Sequence, residues 1–228
     1  MNESSAVVLT ALHCRWGSQP IFNQLNYSFA AGAWHVILGR SGVGKTTLLR
    51  IIAGLESNYS GTVHRPAQLA LMAQQNDLLP WLTAAENVAL GARLRGEVAP
   101  DTAQLLAQMQ LAGHGSKYPR QLSGGQRQRV ALARTLAEDR PLILMDEPFS
   151  ALDAITRHQL QLLARDSLKG KTVIMISHDP QEALLLADQI HLLSERGLEA
   201  LALPPELPPR RELSGPWFNN ILERLCAV

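Results

Sequence analysis

The spacing of hydrophobic positions changes several times along the chain, and the changes predict alternating β and helical regions. Residues 6–34 alternate in short runs separated by turn residues, which is typical of antiparallel strands. Continuous apolar runs follow at residues 34–38, 69–73, 141–145 and 172–176. Runs of this length predict buried strands, and the run at 141–145 fits a parallel strand covered on both faces.

Helical spacing begins after the first of these runs, where residues 48–53 lead up to a stop signal at Gly54. Thr83 and Glu86 have the spacing of a capping box, and helical patterning then dominates to about Ala137. A short amphipathic segment lies in the C-terminal tail, about residues 203–228, and we expect it to pack back onto the core. The pattern predicts an α/β fold with an N-terminal antiparallel β subdomain and a helical block inserted at about residues 84–137.

Composition narrows the class of protein. The chain has 228 residues, 46% of them apolar, enough for one large domain with an insertion. Its 21 basic and 20 acidic residues are balanced, so charge gives no argument for nucleic acid as a partner. The two cysteines lie far apart, which suits a reducing cytosol, and no segment has the roughly 18 continuous apolar residues of a membrane span. We expect a soluble chain that another chain would have to hold at a membrane.

The segment between the first apolar run and the first helix matches G-x-x-x-x-G-K-[ST], a phosphate-binding loop. Glycines let backbone N–H groups point at phosphate oxygens, and the helix start adds the positive end of its dipole. Lys45 can reach the outer phosphates, and the Thr46 hydroxyl can bind Mg²⁺. The alternative is a glycine-rich turn with a chance lysine. The predicted nucleotide-binding residues of the loop are Gly39, Arg40, Ser41, Gly42, Val43, Gly44, Lys45, Thr46 and Thr47.

Ionisable side chains follow two of the predicted buried strands. A carboxylate pair, Asp146 and Glu147, emerges from the strand at 141–145, where magnesium would compensate its charge. We assign Asp146 to the metal shell, through water, and Glu147 as the general base that deprotonates the attacking water. His178 follows the strand at 172–176, at the sheet edge where open α/β sheets bind ligands. Lone histidines are more often structural, but this convergence predicts that His178 contacts the γ-phosphate.

Two further residues have both a functional and a structural interpretation. Gln74 ends an apolar strand, where its amide could contact magnesium or the attacking water, or could be an ordinary polar strand end. Trp16 lies upstream of the phosphate loop, where it could stack on a purine ring or be buried in the sheet.

A second anion site is predicted where Ser123 and Gln126 form a capping box around Gly124 and Gly125. The glycines would leave the helix N-terminus bare, although an ordinary helix start is the alternative. Separately, the apolar residues 78–82 lie next to a proline in a predicted loop, where they either fold inward or form a docking surface for a partner.

Taken together, these motifs resemble those of the nucleotide-binding subunit of ABC transporters, in order and at family spacing over about residues 6–195. Residues 39–46 resemble the Walker A loop and residues 142–147 the Walker B strand. Leu122 to Gln126 reads LSGGQ, similar to the signature motif, and residues 150–153 resemble the D-loop. Gln74 is similar to the Q-loop glutamine, His178 to the switch histidine, and Trp16 to the A-loop aromatic that stacks on adenine.

The resemblance implies a single nucleotide-binding domain over residues 1–228, with a P-loop NTPase core, a mixed sheet, and ATP and Mg²⁺ as cofactors. Two copies, in a homodimer, would enclose ATP head to tail. The metal-binding residues would be Thr46, Gln74 and Asp146. The catalytic residues would be Glu147, His178 and Gln74. The residues expected to act across the dimer are Ser123, Gly124, Gly125, Gln126 and Asp153.

The resemblance also implies partners and a location. The chain would energise a transmembrane permease, docked at residues 78–81, together with a periplasmic or lipid-anchored solute-binding protein, on the cytoplasmic face of the bacterial inner membrane. The form of residues 78–83 is similar to importers of nitrate, sulfonates, taurine and thiamine-precursor pyrimidines. The alternatives are a soluble ABC-type ATPase in assembly or repair, and a partner that binds ATP without hydrolysing it.

Overall fold

The structure is a computed structural model that describes residues 5–74, 78–203 and 215–226. The chain divides into two compact units. Unit 1 comprises Met1–Leu69, Pro141–Asp146 and Gly170–Val228, and unit 2 comprises Ala70–Arg140 and Glu147–Lys169. The helical block predicted at residues 84–137 lies inside unit 2.

The N-terminal part of unit 1 is an antiparallel sheet, as the alternation predicted. Its strands are β1 (Ser5–Trp16), β2 (Gln19–Ala30) and β4 (Tyr59–His64), in the order β2-β1-β4. β1 and β2 are each 12 residues long. Bulges interrupt the alternation of buried and exposed side chains along them, but each strand continues past its bulges. Ala11 and Gln24 have positive φ angles of 47° and 55° at these irregular positions.

The second sheet of unit 1 is mixed, as predicted. In the order β6-β7-β3-β8-β9, the first four strands are parallel and β9 pairs antiparallel with β8. Every residue of β3, β6 and β7 is buried, which explains why these strands appear in the sequence as continuous apolar runs. The strand bounds are β3 (Trp34–Leu38), β6 (Leu142–Asp146), β7 (Thr172–Ile176), β8 (Gln189–Ser194) and β9 (Gly197–Ala200).

Three helices belong to unit 1: α1 (Lys45–Ala53), α7 (Pro180–Leu186) and α8 (Pro216–Cys226). α1 contacts β6 and β7, and α7 contacts β3 and α8. α8 buries Ile221, and its Cys226 carbonyl accepts a hydrogen bond of 3.0 Å from the Arg40 guanidinium. The amphipathic C-terminal segment therefore packs on unit 1, while residues 204–214 and 227–228 of the predicted tail lie outside the described residues.

Unit 2 is mainly helical. Its first strand, β5 (Leu69–Met72), begins at the last residue of the first segment of unit 1. Thr83 and Glu86 form both hydrogen bonds of the predicted capping box. α2, α4 and α5 contact one another. The helices are α2 (Ala84–Val88), α3 (Leu90–Arg95), α4 (Thr102–Gln108), a 3₁₀ turn (Pro119–Gln121), α5 (Gly124–Ala137) and α6 (Ala154–Ser167).

No helix in the described ranges is both long and apolar enough to cross a membrane.

A buried chain of hydrogen bonds in unit 1 joins β2, β3 and β8. The Tyr27 hydroxyl lies 2.6 Å from His191 Nδ1, His191 Nε2 lies 3.0 Å from His35 Nδ1, and His35 Nε2 lies 2.9 Å from the Ala30 carbonyl oxygen. A carbonyl only accepts, so His35 donates through Nε2 and accepts at Nδ1. His191 then donates through Nε2 and accepts the tyrosine proton at Nδ1. Each neutral imidazole is therefore held as one tautomer.

Burial disfavours the charged forms of these three side chains. It lowers the pKa of His191 to about 3, with a further lowering from neighbouring His35, and it also lowers the pKa of His35. Burial raises the pKa of Tyr27 to about 12. All three groups thus stay neutral over the physiological pH range.

Acidification should therefore destabilise the fold through His191. Below about pH 6.5 the unfolded chain binds a proton at His191, whereas the folded chain binds it only near pH 3. The contribution of neutral His191 to the free energy of unfolding is therefore complete above pH 6.5 and is lost as pH falls toward 3. Between pH 7 and pH 5 the free energy of unfolding should fall by about 2 kcal/mol more in the wild type than in His191→Gln. Urea unfolding at the two pH values measures this. Exposed His158→Gln is the control and should retain the wild-type pH dependence, whereas an unchanged dependence in His191→Gln would contradict the assignment.

Candidate functional site

The phosphate loop connects β3, which ends at Leu38, with α1, which begins at Lys45. Gly44 precedes the helix in the left-handed conformation, with φ 105°. A Cβ atom at this position would lie 2.5 Å from Ile21 Cγ2, so the position requires glycine both for its backbone angle and for space. A Cβ atom at Gly39 would lie 2.5 Å from the Leu193 carbonyl oxygen. Packing in unit 1 therefore requires Gly39 and Gly44, whereas a Cβ atom at Gly42 would have no atom within 4 Å.

Lys45 begins α1, and its side chain reaches back to the start of the phosphate loop. Its side chain is buried, and Nζ donates to the carbonyl oxygens of Gly39 at 2.7 Å and Arg40 at 2.9 Å. No side chain caps the N-terminus of α1, and no acidic residue lies in its first turn. A lysine ammonium and an open helix N-terminus in one loop make a site for a polyanion. Exposed Thr46 lies in the first turn of the same helix.

The sheet register brings two further predicted residues to the same edge. Ile176 of β7 is the register partner of both Ile37 in β3 and Asp146 in β6, so these parallel strands end together. Ser177 N–H donates to the Ile37 carbonyl oxygen at 3.2 Å, and His178 follows it, exposed. Asp146 is 3% exposed. Unit 1 therefore gathers the phosphate loop, Asp146 and His178 at the carboxyl edge of its sheet, as the sequence predicts.

Glu147 is the first residue of the second segment of unit 2. Its φ angle is +49°, a left-handed conformation that is uncommon for a residue with a side chain. Its carbonyl oxygen accepts hydrogen bonds from Gln128 Nε2 at 3.2 Å and from Ser150 Oγ at 3.0 Å. The main chain at Glu147 is thus held in a strained conformation by side chains of unit 2.

The LSGGQ segment forms the predicted capping box at the start of α5. Ser123 Oγ accepts from Gln126 N–H at 3.2 Å, and Gln126 Oε1 accepts from Ser123 N–H at 2.9 Å. A Cβ atom on Gly124 would lie 3.9 Å from an Arg127 guanidinium nitrogen, and one on Gly125 would lie 3.2 Å from the Ala151 carbonyl oxygen. The anion site at this helix start stays a prediction. Gly125 is needed for close packing against residues 150–153.

Asp153 caps α6 by accepting a hydrogen bond of 3.0 Å from Thr156 N–H. Hydrogen bonds from Thr156 hold the pKa of this carboxyl below its ordinary value. Asp153 therefore has a local structural function in addition to the one that the resemblance implies across a dimer.

The apolar loop before α2 depends on a residue that the sequence analysis missed. Asn87 is fully buried, and its side chain accepts from Leu79 N–H at 2.8 Å while donating to the carbonyl oxygens of Leu79, Leu82 and Thr83 at 2.9–3.2 Å. Its signal in the sequence is a polar residue four positions after a capping threonine. Within the loop that Asn87 holds, Trp81 is 68% exposed. Trp81 does not fold inward.

The two remaining predicted residues are both exposed. Trp16 ends β1 with 70% of its surface accessible, so the alternative that it is buried in the sheet is wrong. Gln74 follows β5 in unit 2, beside residues 75–77, which lie outside the described ranges. Among the described residues, no group of three or more His, Cys, Asp or Glu side chains could hold a metal ion. The metal function of Gln74 stays a prediction.

Comparison with known proteins decides the family. The family described as ABC transporter matches residues 22–150, more than half of the chain. The chain belongs to the ABC transporter family. It is 44% identical to an ABC transporter ATP-binding protein of Haemophilus influenzae, covering 87% of this chain and 88% of that protein. Several relatives have names that state a cargo. Among them are the aliphatic sulfonates import ATP-binding protein SsuB of Yersinia pestis (40% identical, 99% of this chain and 87% of that protein covered) and the taurine import ATP-binding protein TauB of Chromobacterium violaceum (46% identical, 78% and 73% covered).

Solved structures agree with this family. An ATP-binding cassette solved as a dimer in a post-hydrolysis state, with ADP and Pi bound, is 30% identical and has a TM-score of 0.75, covering 86% of this chain and 99% of that one. An inward-facing ABC transporter of metal-chelate type, 24% identical with a TM-score of 0.70, has the same fold over 86% of this chain and 82% of that one. The predicted fold class is confirmed, and so is the prediction of an ATP-binding, ATP-hydrolysing subunit.

Substitution of Gly44 by alanine should impair nucleotide binding, because the added Cβ meets Ile21 and also carries the left-handed strain of about 1–2 kcal/mol. We expect ATP affinity, measured by isothermal titration calorimetry, to fall at least about tenfold, which corresponds to 1.4 kcal/mol. The matched control is Gly96→Ala in unit 2, where φ is +68° and no atom lies within 4 Å of the added Cβ. Gly96→Ala should lower stability but leave ATP affinity unchanged. Equal effects of the two substitutions on affinity would contradict the packing argument.

Proposed function

We propose that this chain hydrolyses ATP to drive import of small sulfonates through a permease in a bacterial inner membrane, bound peripherally on its cytoplasmic face. The observation that carries the proposal is that relatives matched over most of their length are named as ATP-binding proteins for import of aliphatic sulfonates and taurine. Both names denote small organic molecules that carry a sulfonate group. The phosphate loop and strand edge in unit 1 supply the nucleotide chemistry that such a subunit requires.

ATP binds through its phosphates at the start of α1. The N–H groups of the phosphate loop and the ammonium group of Lys45 neutralise phosphate charge, and exposed Trp16 stacks on the adenine. Thr46 and Asp146 would hold Mg²⁺ beside the phosphates. The contact of α1 with β6 supports this pairing, because Thr46 and Asp146 belong to these two elements. Mg²⁺, when bound, offsets the negative charge of the phosphates and of buried Asp146. Gln74 is the third residue that we assign to the metal.

Hydrolysis requires a base for the attacking water. Glu147 follows Asp146 directly in the chain, and we assign it as the general base. His178 contacts the γ-phosphate and steadies the water; its position beside Ser177, at the edge where the phosphate loop begins, supports this assignment.

A second copy of the chain completes each ATP site. Ser123, Gly124, Gly125 and Gln126 act on the γ-phosphate held by the other copy, with Asp153 at the same interface. Half-buried Gly124 lies in the first turn of α5, where a Cβ atom would have only an Arg127 guanidinium nitrogen within 4 Å, and this is the geometric support. The dimeric ATP-binding cassette with ADP and Pi is the support from comparison.

The loop at residues 78–82 docks on the permease. Trp81 presents a large exposed apolar surface on a loop that Asn87 holds through four hydrogen bonds, so the surface is ordered before a partner binds. A solute-binding protein delivers the sulfonate to the other side of the permease. The alternative of a soluble ATPase in assembly or repair has less support, because the relatives with a stated cargo are named as import proteins.

Glu147→Gln tests the assigned base. The substitution preserves size but removes the proton acceptor, so we expect kcat to fall at least about 100-fold with ATP affinity within about twofold of the wild type. Steady-state ATPase assays measure kcat, and titration calorimetry measures affinity. The variant should also accumulate as an ATP-bound dimer in size-exclusion chromatography. Wild-type turnover in Glu147→Gln would exclude Glu147 as the base.

Trp81→Ala tests the docking surface. Loss of the indole removes an exposed apolar anchor, so recovery of the permease in a pull-down should fall at least about tenfold, while ATPase activity without the permease stays near the wild-type value. Leu94→Ala is the matched control, because Leu94 is also a large exposed apolar residue of unit 2, at 77% exposure. Undiminished recovery of the permease with Trp81→Ala would remove the docking function from this loop.

A further inference from the structure

We propose that Gln128 is a positioning residue for Glu147, and that it ties the geometry of this glutamate to the position of α5. The inference rests on the general-base function proposed for Glu147. Gln128 belongs to α5, five residues after the capping Ser123, and its side chain is 3% exposed.

The nitrogen and the oxygen of the Gln128 amide both form hydrogen bonds with the segment that begins at Glu147. Nε2 donates to the Glu147 carbonyl oxygen at 3.2 Å, and Oε1 accepts from Ala151 N–H at 2.8 Å. Only one orientation of the amide permits both bonds, because a carbonyl only accepts and a backbone N–H only donates. Burial strengthens the preference, since losing either bond would leave a desolvated polar group unpaired. The side chain therefore fixes two points of residues 147–151 relative to α5.

The Glu147 backbone needs such a restraint. At φ +49° its Cβ crowds the main chain, and relaxation to a negative φ would swing the Cα–Cβ bond and redirect the carboxylate. Ser150 also donates to the Glu147 carbonyl oxygen, from Oγ at 3.0 Å and from N–H at 3.3 Å, but it belongs to the same turn and would move with it. Gln128 holds the carbonyl from a separate element, so its bond resists rotation of the whole turn.

The same contact couples the LSGGQ segment to the base. Ser123 and Gln126 shape the start of α5, Gln128 follows within the next turn, and Gly125 packs against the Ala151 carbonyl oxygen. A displacement of the start of α5 would therefore be transmitted to the Glu147 main chain. The carboxylate would take its productive direction only when α5 is in position.

Gln128→Leu tests the inference, because it removes both hydrogen bonds while filling nearly the same volume. We expect kcat for ATP to fall about 10- to 100-fold, since small misplacements of a catalytic group have effects of this size, while the KM for ATP stays within about twofold. Gln128→Glu is the second variant. It keeps an acceptor for Ala151 N–H but presents an acceptor to the Glu147 carbonyl oxygen, so it should be about as slow as Gln128→Leu.

The matched control is Gln161→Leu, a glutamine of α6 in the same unit that is 4% exposed. It should lower the melting temperature at least as much as Gln128→Leu but keep kcat within about twofold of the wild type. A general loss of stability would reduce kcat in both variants. Equal losses of kcat in the two variants would overturn the inference.

A double-mutant cycle with Glu147→Gln separates positioning from a merely structural effect. If Gln128 acts through Glu147, Gln128→Leu should slow single-turnover hydrolysis by less than about twofold in the Glu147→Gln background. A full additional loss there would overturn the inference, as would wild-type kcat in Gln128→Glu. If Gln128→Leu does not fold, Gln128→Glu replaces it in the double-mutant cycle with Glu147→Gln, and the same result is expected. If Glu147→Gln is slow but the Gln128 variants have wild-type kcat, only this inference is wrong. If Glu147→Gln is fully active, the general-base function proposed for Glu147 is wrong, and so is this inference.

Discussion

The parallel pairing of β3 with β7 and of β7 with β6 is the constraint on which the nucleotide chemistry of unit 1 depends. Because Ile176 is in register with both Ile37 and Asp146, the three strands end at one edge. That edge receives the phosphate loop, the Asp146 carboxylate and His178 from three distant parts of the sequence. Each strand is fully buried, so the register cannot slip without exposing apolar side chains or burying polar ones.

Strong local signals made much of this arrangement predictable. The loop before Lys45, the capping boxes at Thr83 and Ser123, and the continuous apolar strands each depend on residues close together in the chain. The full length of β1 was not predictable in this way, since the bulge at Ala11 is held by a hydrogen bond from its N–H to Asn26 on the neighbouring strand. Local alternation contains no information about such a partner.

The residues that sequence analysis missed hold the main chain of neighbouring loops. Asn87 and Gln128 are polar side chains in helices, where polar residues are common on the surface, yet both are buried and hold a neighbouring loop. The positive φ of Glu147 is equally invisible in the sequence. The burial of an amide side chain and the strain in the Glu147 backbone arise only in the folded chain. Buried amides hold the loops that bear Trp81 and Glu147 in their conformations.

The most direct test of the account is coupled transport in proteoliposomes that contain this chain, its permease and its solute-binding protein. Uptake of labelled taurine and of an aliphatic sulfonate would be measured together with ATP hydrolysis. The account predicts that one of these sulfonates is accumulated only with ATP and raises turnover, and that both activities fall together in Glu147→Gln. Turnover that no sulfonate changes, with no uptake and no permease bound, would contradict the importer function and favour a soluble ATPase.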